Sequence, residues 1–182
     1  MNYATIKWVD VANGPGVRVS LFVSGCTHRC PGCFNEEAWD FNYGRPFTQA
    51  DEDKIVRALA PAHIKGLSLL GGEPFEPDNQ RALLPLLRRV KELYPDKTIW
   101  CYSGYLLDKE LLMPSRARCE VTDSLLLCID ILVDGPFIEA QKDLNLRFRG
   151  SANQRIIDVR KTLTSGSVVL WDGEMTIRPI TK

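Results

Sequence analysis

Short apolar runs rich in β-branched residues alternate along this chain with longer stretches of helical periodicity. The runs VRVSLFV at 17–23 and TIWCYS at 98–103 are typical of strands. A nearly continuous apolar run at 126–133 is typical of a strand covered on both faces. With two further segments, the predicted strands are 17–23, 66–70, 98–103, 126–133 and 154–159.

Helices are predicted between these strands. Thr48 and Asp51 have the spacing of a capping box, and the helix that follows them would end before Pro61. Residues 78–94 carry an apolar helical face, and Pro85 would bend this helix or mark its start. Shorter helices are expected at 106–113 and 137–144, and a hairpin with an Asp-Gly turn is expected from 168–171, 172–173 and 175–177.

This alternation of strands and helices predicts an α/β fold with a mainly parallel sheet. A complete β/α barrel of eight units needs about 250 residues. The 182 residues of this chain leave room for about five or six units, which favours a partial, open barrel. A doubly wound sheet would also satisfy the pattern. No linker or repeat divides the chain, so we expect a single domain over residues 1–182.

Four unusual sequence features come directly after predicted strands. They are a cysteine-rich loop, Gly71-Gly72-Glu73-Pro74, Ser103-Gly104 and Asp134-Gly135. Ligands of open α/β sheets and barrels gather at the carboxyl ends of the strands. The sequence therefore predicts a site at this edge of the sheet.

Composition and charge narrow the classes of partner. Lys+Arg and Asp+Glu both number 23, and the pI of about 6.7 gives no basic footprint for binding nucleic acid. The first ten residues lack the pattern of a secretory signal. The longest apolar stretch, at 125–133, is short for a membrane span and contains Asp130. We therefore expect a soluble cytoplasmic protein that binds neither nucleic acid nor membranes.

Three of the six cysteines fall within eight residues, in a C-x3-C-x2-C spacing formed by Cys26, Cys30 and Cys33. Thiolates are soft ligands that suit iron–sulfur clusters or zinc. Three of them from one loop can hold three corners of a four-iron cluster and leave the fourth iron open to a small molecule. The other three cysteines are scattered singly and are expected to be structural.

Two other interpretations of the cysteine loop stay open at this point. Structural zinc usually takes four ligands, and His28 could supply the fourth, although the packing of four ligands into eight residues is awkward. A catalytic cysteine nucleophile would not require three cysteines. We expect His28 to be an exposed loop residue or a contact near the cluster.

The cysteine spacing after a predicted strand resembles the radical S-adenosylmethionine superfamily. The surrounding sequence is similar to the activating proteins of anaerobic ribonucleoside-triphosphate reductase over about residues 2–160. In much of the superfamily an aromatic residue comes immediately before the last cysteine, whereas this chain has Gly32 there and Phe34 after it. The segments that carry the resemblance are NGPG at 13–16, SLFVSGC at 20–26, PGCFN at 31–35, GGEPF at 71–75, VDGPF at 133–137 and RFRGSANQRIIDV at 147–159.

The resemblance implies a radical activating enzyme. A [4Fe-4S] cluster on the three cysteines would bind S-adenosyl-L-methionine at its open iron, and a flavodoxin-like electron donor would reduce the cluster. Cleavage of S-adenosylmethionine would give a 5′-deoxyadenosyl radical that takes a hydrogen atom from a backbone glycine of the reductase. The protein itself would contribute placement of the reactants and exclusion of water.

Several residues are candidates for contacts with S-adenosylmethionine. Gly71 and Gly72 let the backbone approach the methionine end, and the carboxylate of Glu73 suits its ammonium group. Gly32, Cys33 and Phe34 are expected on the adenine side. Weaker candidates are Ser103, Asp134, which could reach the ribose or the partner, and Asp130, for which an ion pair with Arg155 or another base is an equal alternative.

Other functions remain possible on sequence alone. The target could be another glycyl-radical enzyme or a small molecule, or the chain could be a non-catalytic iron–sulfur or zinc redox module. The short chain favours a macromolecular substrate, because little of it is left to close a pocket. The polar cluster at the end of the resembling region is a solvated loop, a docking surface for the reductase or a source of arginine contacts to the cofactor carboxylate; its members are Arg147, Arg149, Asn153, Gln154 and Arg155.

Overall fold

The computed structural model describes residues 1–173, which form seven strands, four α-helices and several short turns of other helix types. The strands are β1 (Asn2–Asp10), β2 (Val17–Val23), β3 (Arg45–Pro46), β4 (Ile64–Gly71), β5 (Thr98–Tyr102), β6 (Ile131–Asp134) and β7 (Arg155–Asp158). The helices are α1 (Gln49–Leu59), α2 (Pro77–Leu93), α3 (Thr122–Cys128) and α4 (Val159–Ser165). Single turns of 3₁₀ helix lie at Glu36–Trp39 and Glu139–Gln141, and a π-helical turn lies at Leu107–Leu111.

All seven strands belong to one open sheet in the order β3-β1-β2-β4-β5-β6-β7. The four central strands, β2, β4, β5 and β6, are parallel, and their carboxyl ends therefore meet at one edge. The flanking strands β1, β3 and β7 pair antiparallel. The α/β class and the parallel centre agree with the sequence prediction.

The helices pack in one layer on one face of the sheet. The alternate residues Leu67 and Leu69 of β4 lie in the same apolar core as Ile55 of α1 and Leu87 of α2. Neighbouring helices contact each other in chain order from α1 to α4. A doubly wound sheet carries helices on both faces, so the single layer favours the open arrangement. The opposite face is left for a cavity and a small aromatic cluster.

The sequence predicted local elements correctly where the periodicity of its apolar residues, or a capping pattern, was clear. Strand β2 has the predicted bounds, and α1 begins with a capping interaction in which the Asp51 carboxylate accepts from the backbone N–H (3.1 Å) and the hydroxyl (2.7 Å) of Thr48. Helix α2 begins at Pro77 and continues through Pro85. Pro85 therefore lies inside the helix and does not mark its start.

Other predictions were wrong. The apolar run at 126–133 is divided, because its first residues finish α3 and the strand begins only at Ile131. Residues 137–144 contain a 3₁₀ turn instead of a longer helix, and β1 and α4 were not predicted. Residues 168–171 lie beside β7, where Asp158 N donates to Val169 O, and the expected second hairpin strand at 175–177 lies outside the described residues.

A fully buried arginine ties together the central strands on the cavity face. Arg18 of β2 donates to Ser68 Oγ (2.7 Å) and Leu67 O (2.9 Å) of β4, and to Thr98 O (2.9 Å) of β5. Burial lowers the pKa of Arg18 to about 10, which still leaves the side chain charged near neutral pH. The atoms that accept these hydrogen bonds from the charged side chain are neutral oxygens.

In the described part of the chain, no helix combines the length and apolarity needed to cross a lipid bilayer.

We expect Arg18→Lys to destabilise the chain by roughly 2 kcal/mol, because one ammonium group cannot reach acceptors on both β4 and β5 and buried acceptors would be left unpaired. Urea denaturation would measure the change. Arg89→Lys is the matched control, because Arg89 is partly exposed and its pairs with Glu52 and Asp53 should change by less than about 0.5 kcal/mol. Equal losses in the two variants would contradict the role given to Arg18.

Candidate functional site

Loops from four parallel strands surround one cavity at their carboxyl edge. The cavity has a volume of about 520 Å³. Its lining includes residues from the loops after β2, β4, β5 and β6, together with the segment at 146–154. Of the predicted site residues, those that line it are Cys26, Cys30, Cys33, Phe34, Gly71, Gly72, Glu73 and Ser103. The sequence thus predicted which edge of the sheet carries the cavity.

The three cysteines are half-buried in the loop after β2. The base of this loop is fixed by backbone hydrogen bonds, from Gly25 N to Ala38 O (2.8 Å) and from Cys26 N to Trp39 O (3.2 Å). Near its end, Asn35 N donates to Cys33 Sγ (3.4 Å). The loop therefore presents sulfur atoms to the cavity from a backbone that is held on both sides.

The electrostatic surroundings do not favour a free cysteine nucleophile. Burial, with a contribution from the nearby Glu73 charge, raises the pKa of Cys26 to about 12. Burial also raises the pKa of Cys30. Reactive cysteines lie in environments that lower the thiol pKa. These thiols therefore need a cation, such as the irons of a cluster, to become thiolates.

Gly71 and Gly72 bring the loop after β4 against the cysteine loop. Gly71 has a φ of +104°, a conformation that favours glycine. A Cβ on Gly72 would lie 2.5 Å from Gly25 O and 2.9 Å from Ala38 O, both backbone atoms. Gly72 N donates to Val23 O (2.7 Å). Packing between the two loops therefore requires glycine at position 72, apart from any contact with a ligand.

The carboxylate of Glu73 is 1% exposed and accepts four hydrogen bonds. Oε1 accepts from Phe75 N (2.8 Å) and Ser103 Oγ (2.9 Å). Oε2 accepts from Gly104 N (2.7 Å) and lies 3.0 Å from His28 Nε2. Since a carboxylate has about four lone-pair sites, its hydrogen-bonding capacity is filled by the protein. Glu73 and Ser103 thus connect the cysteine loop with the loops after β4 and β5.

His28 joins this network, a contact that sequence reasoning did not specify. Its ring packs against Tyr105 with the ring centroids 4.3 Å apart. Burial acts to lower the pKa of His28, but the hydrogen bond to Glu73 and its charge outweigh burial and raise the pKa. The position of His28 between two of the cysteines was the only signal for its role.

Phe34 and Gly32 occupy different positions in the loop. The Phe34 ring lines the cavity and meets Phe137 edge-on, with the ring centroids 5.4 Å apart. Gly32 is exposed and faces the Glu139 side chain, which lies 2.7 Å from the position of a Cβ. Phe34 can therefore cover a ligand, whereas Gly32 does not line the cavity.

Two predicted contacts lie away from the cavity. Asp130 accepts from Lys91 Nζ (2.5 Å) and Ile99 N (2.7 Å) at the amino-terminal end of β6, opposite the cysteine loop. Asp134 is fully buried and accepts from Arg155 Nε (2.9 Å) and Nη2 (2.6 Å) and from Leu107 N (2.8 Å). Both carboxylates are therefore occupied by ion pairs, and Arg155 pairs with Asp134 instead of Asp130.

The segment at 146–154 supplies a wall of the cavity. Arg149 lines it and donates to Gln154 O (2.6 Å), while Gln154 Oε1 accepts from Gly150 N (2.8 Å) and Gln154 Nε2 donates to Gly135 O (3.1 Å). The sequence singled out this polar cluster as a surface loop or docking surface. Its hydrogen bonds give it a fixed shape beside the site.

Three thiol side chains in the lining of one cavity fit the ligand set of a four-iron cluster. Within residues 1–173, no three His, Cys, Asp or Glu side chains converge as a mononuclear metal site requires. In a four-iron cluster each thiolate binds a different iron, so the sulfurs lie apart. The three cysteines of the cavity lining leave one iron of such a cluster for another ligand.

Comparisons with known proteins agree with this chemistry. Residues 12–157 match the family model of a 4Fe-4S single cluster domain. Activating proteins of anaerobic ribonucleoside-triphosphate reductase are similar from Vibrio cholerae serotype O1 (48% identity; 86% of this chain and 97% of the relative) and Escherichia coli K12 (46%; 88% and 100%). The protein of that name from enterobacteria phage T4 is 37% identical over 86% of this chain and 93% of its own length. The chain, with its three cysteines at the sheet edge, belongs to the family of anaerobic ribonucleoside-triphosphate reductase-activating proteins.

Proposed function

We propose that this chain activates an anaerobic ribonucleoside-triphosphate reductase as a radical S-adenosylmethionine enzyme. One observation carries the proposal: Cys26, Cys30 and Cys33 line the same cavity as the Gly71-Gly72 backbone. The cysteines would hold a [4Fe-4S] cluster, and S-adenosylmethionine would lie between its open iron and the glycines. The partner is taken from the names of the relatives.

The three cysteines would hold the cluster in this cavity, and the cluster would supply one electron from an external donor for the reductive cleavage of S-adenosylmethionine to methionine and a 5′-deoxyadenosyl radical. That radical would take a hydrogen atom from a glycine of the reductase, giving 5′-deoxyadenosine and the glycyl radical. The protein binds and orients the reactants. Gly71 and Gly72 offer backbone groups to the methionine end. Because the Glu73 carboxylate already accepts four hydrogen bonds, we give the ammonium contact to this backbone and assign Glu73 to positioning the loops.

The remaining walls protect and shape the reaction space. Phe34 and Phe137 form an edge-on ring pair in the cavity lining, and with the cofactor bound this pair would exclude water from the cysteine side. The half-buried cysteine loop would receive electrons from a flavodoxin-like donor. In this proposal the open sheet with its single helical layer is a partial β/α barrel, with the reaction on its inner face.

Replacement of any one of Cys26, Cys30 or Cys33 by Ala should abolish activation, because two thiolates cannot hold the cluster with a single open iron. The parent, reconstituted without oxygen, should contain about four irons per chain and form 5′-deoxyadenosine when reduced. Adding the reductase should give an organic radical signal in electron paramagnetic resonance. Iron content, 5′-deoxyadenosine and the radical signal are the measurements.

Cys119→Ala is the matched control for these variants, since Cys119 is half-buried but does not line the cavity. It should keep the iron and the activity. A loop variant that retains both would contradict the site. A colourless protein that contains zinc would contradict the proposed radical chemistry. A radical formed only on another glycyl-radical enzyme would show that this other enzyme is the partner.

Glu73→Gln should destabilise the cluster-free chain by roughly 2 kcal/mol, because the new amide NH₂ would face backbone or hydroxyl donors that now meet a carboxylate oxygen. Thermal or urea unfolding without S-adenosylmethionine would measure this loss. Glu76→Gln is the matched control: its carbonyl can still accept from Thr27 N and Oγ1 through the Oε1 position, and the loss should stay below about 1 kcal/mol. Unchanged stability of Glu73→Gln would favour a role in direct binding only.

A further inference from the structure

The chain after α4 returns to the sheet and pairs with the outer edge of β7. Asp158 N donates to Val169 O (2.9 Å), and Trp171 N donates to Ile156 O (2.9 Å). This return segment, residues 168–171, lies beyond residue 157, where the match to the 4Fe-4S family model ends. It is thus a feature of this chain outside the matched domain.

Pairing with β7 directs Trp171 onto the cavity face of the sheet. Its ring meets Trp100 edge-on with the centroids 5.2 Å apart, and its centroid lies 6.4 Å from that of Phe148. Trp100 and Phe148 are themselves 5.5 Å apart. The three rings form an aromatic cluster in which Trp171 supports Phe148 from the side of the return segment.

Phe148 is a residue whose conformation needs such support. Its φ is +60°, in the left-handed region that non-glycine residues rarely adopt. A residue in this region keeps its conformation only when the surrounding structure imposes it. Phe148 belongs to the wall loop, residues 146–150, which is also fixed at its far end by the hydrogen bonds of Gln154.

The wall loop lies between two cavities. Phe148 and Leu146 line the cavity that contains the cysteines, and they also line a second cavity of about 490 Å³. The second cavity is also lined by residues of the 11–17 segment, and its lining includes the exposed Val11 and Arg147. A macromolecular segment that approaches the cysteines from this side must therefore pass the wall loop.

We propose that Trp171 is a positioning residue for the protein substrate: through Phe148, it holds the wall loop in the shape that receives the glycine-bearing segment of the reductase. This inference rests on the proposed function. In the proposed function S-adenosylmethionine contacts the cysteines and Gly71-Gly72, whereas Trp171 does not line the cavity and acts through Phe148. Loss of the Trp171 ring should therefore reduce reductase binding more than cleavage of S-adenosylmethionine without reductase.

The test compares Trp171→Ala, Trp171→Phe and Leu170→Ala in the full-length, cluster-loaded chain. Leu170 is the matched control, because it is the neighbouring residue of the same segment and its side chain is exposed. For each variant, surface plasmon resonance measures the affinity for the anaerobic reductase, and KM for the reductase is measured with kcat. Formation of 5′-deoxyadenosine without reductase is measured separately, and circular dichroism reports folding.

We expect Trp171→Ala to weaken reductase binding and raise KM about tenfold, with kcat and uncoupled 5′-deoxyadenosine formation within twofold of the parent. Trp171→Phe should recover most of the affinity, and Leu170→Ala should match the parent. Parent-like affinity of Trp171→Ala would overturn the inference, as would an equal loss of uncoupled cleavage. Failure of the parent itself to cleave S-adenosylmethionine would instead refute the proposed function.

One more variant distinguishes a folding defect from a loss of reductase binding. If Trp171→Ala is unfolded, Trp171→Leu, which keeps apolar bulk but lacks the ring, replaces it in every measurement. Weakened reductase binding with intact uncoupled cleavage then supports the inference, and parent-like binding overturns it. If Trp171→Leu is unfolded as well, the return segment is required for folding and the inference is overturned.

Discussion

A buried carboxylate holds the candidate site together. Taking an isolated carboxylate out of water costs several kcal/mol, so Glu73 is stable in its position only while its donors are in place. Those donors come from its own loop, from the loop after β5 and, through His28, from the cysteine loop. Displacement of one loop would leave a buried charge with fewer partners. The three loops should therefore form and open as one cooperative unit.

The same charge couples the shape of the site to its iron. Cys26 lies near Glu73 in a half-buried position, where burial and the negative charge both raise the pKa of its thiol. A thiolate at Cys26 is consequently unfavourable without a compensating cation. Binding of a metal to thiolates releases protons from the thiols, and its free energy also stabilises the folded structure of the site. Filling the site with iron should thus stabilise the arrangement that Glu73 positions, beyond what the hydrogen bonds alone contribute.

How far the sequence predicted this structure depended on the range of the interactions. Strand β2 and the cysteine loop were predictable because a local period and a local spacing define them. The roles of Asp130 and Asp134 were not, since they lie four positions apart and yet meet Lys91 and Arg155 at opposite ends of β6. The end of α3 decides which residue begins that strand. Leu127, within the apolar run, is 74% exposed at the end of α3, so apolar character alone did not identify a strand covered on both faces.

The glycines show a similar limit of sequence reasoning. Gly71-Gly72 was predicted to allow close approach of a ligand, and the pair does line the cavity. The structure adds a requirement from the protein itself, because a side chain at Gly72 would overlap the backbone of the cysteine loop. A dipeptide pattern cannot distinguish these two demands. The demand from the protein itself becomes visible only in the structure, because the backbone atoms that a Cβ at Gly72 would meet belong to Gly25 and Ala38, far earlier in the chain.

The two-residue period of the strands explains why the cavity lies where it does. Arg18 and Phe22 of β2 point to the same face, because alternate residues of a strand share a side. Arg18 fills this face near the beginning of the strands with hydrogen bonds to β4 and β5. Further along, Phe22, Leu70 and Tyr102 line the open space instead. The cavity face of the sheet is thus closed near the amino-terminal ends of the central strands by the buried Arg18 guanidinium. It is open at the carboxyl edge, where the cysteines lie.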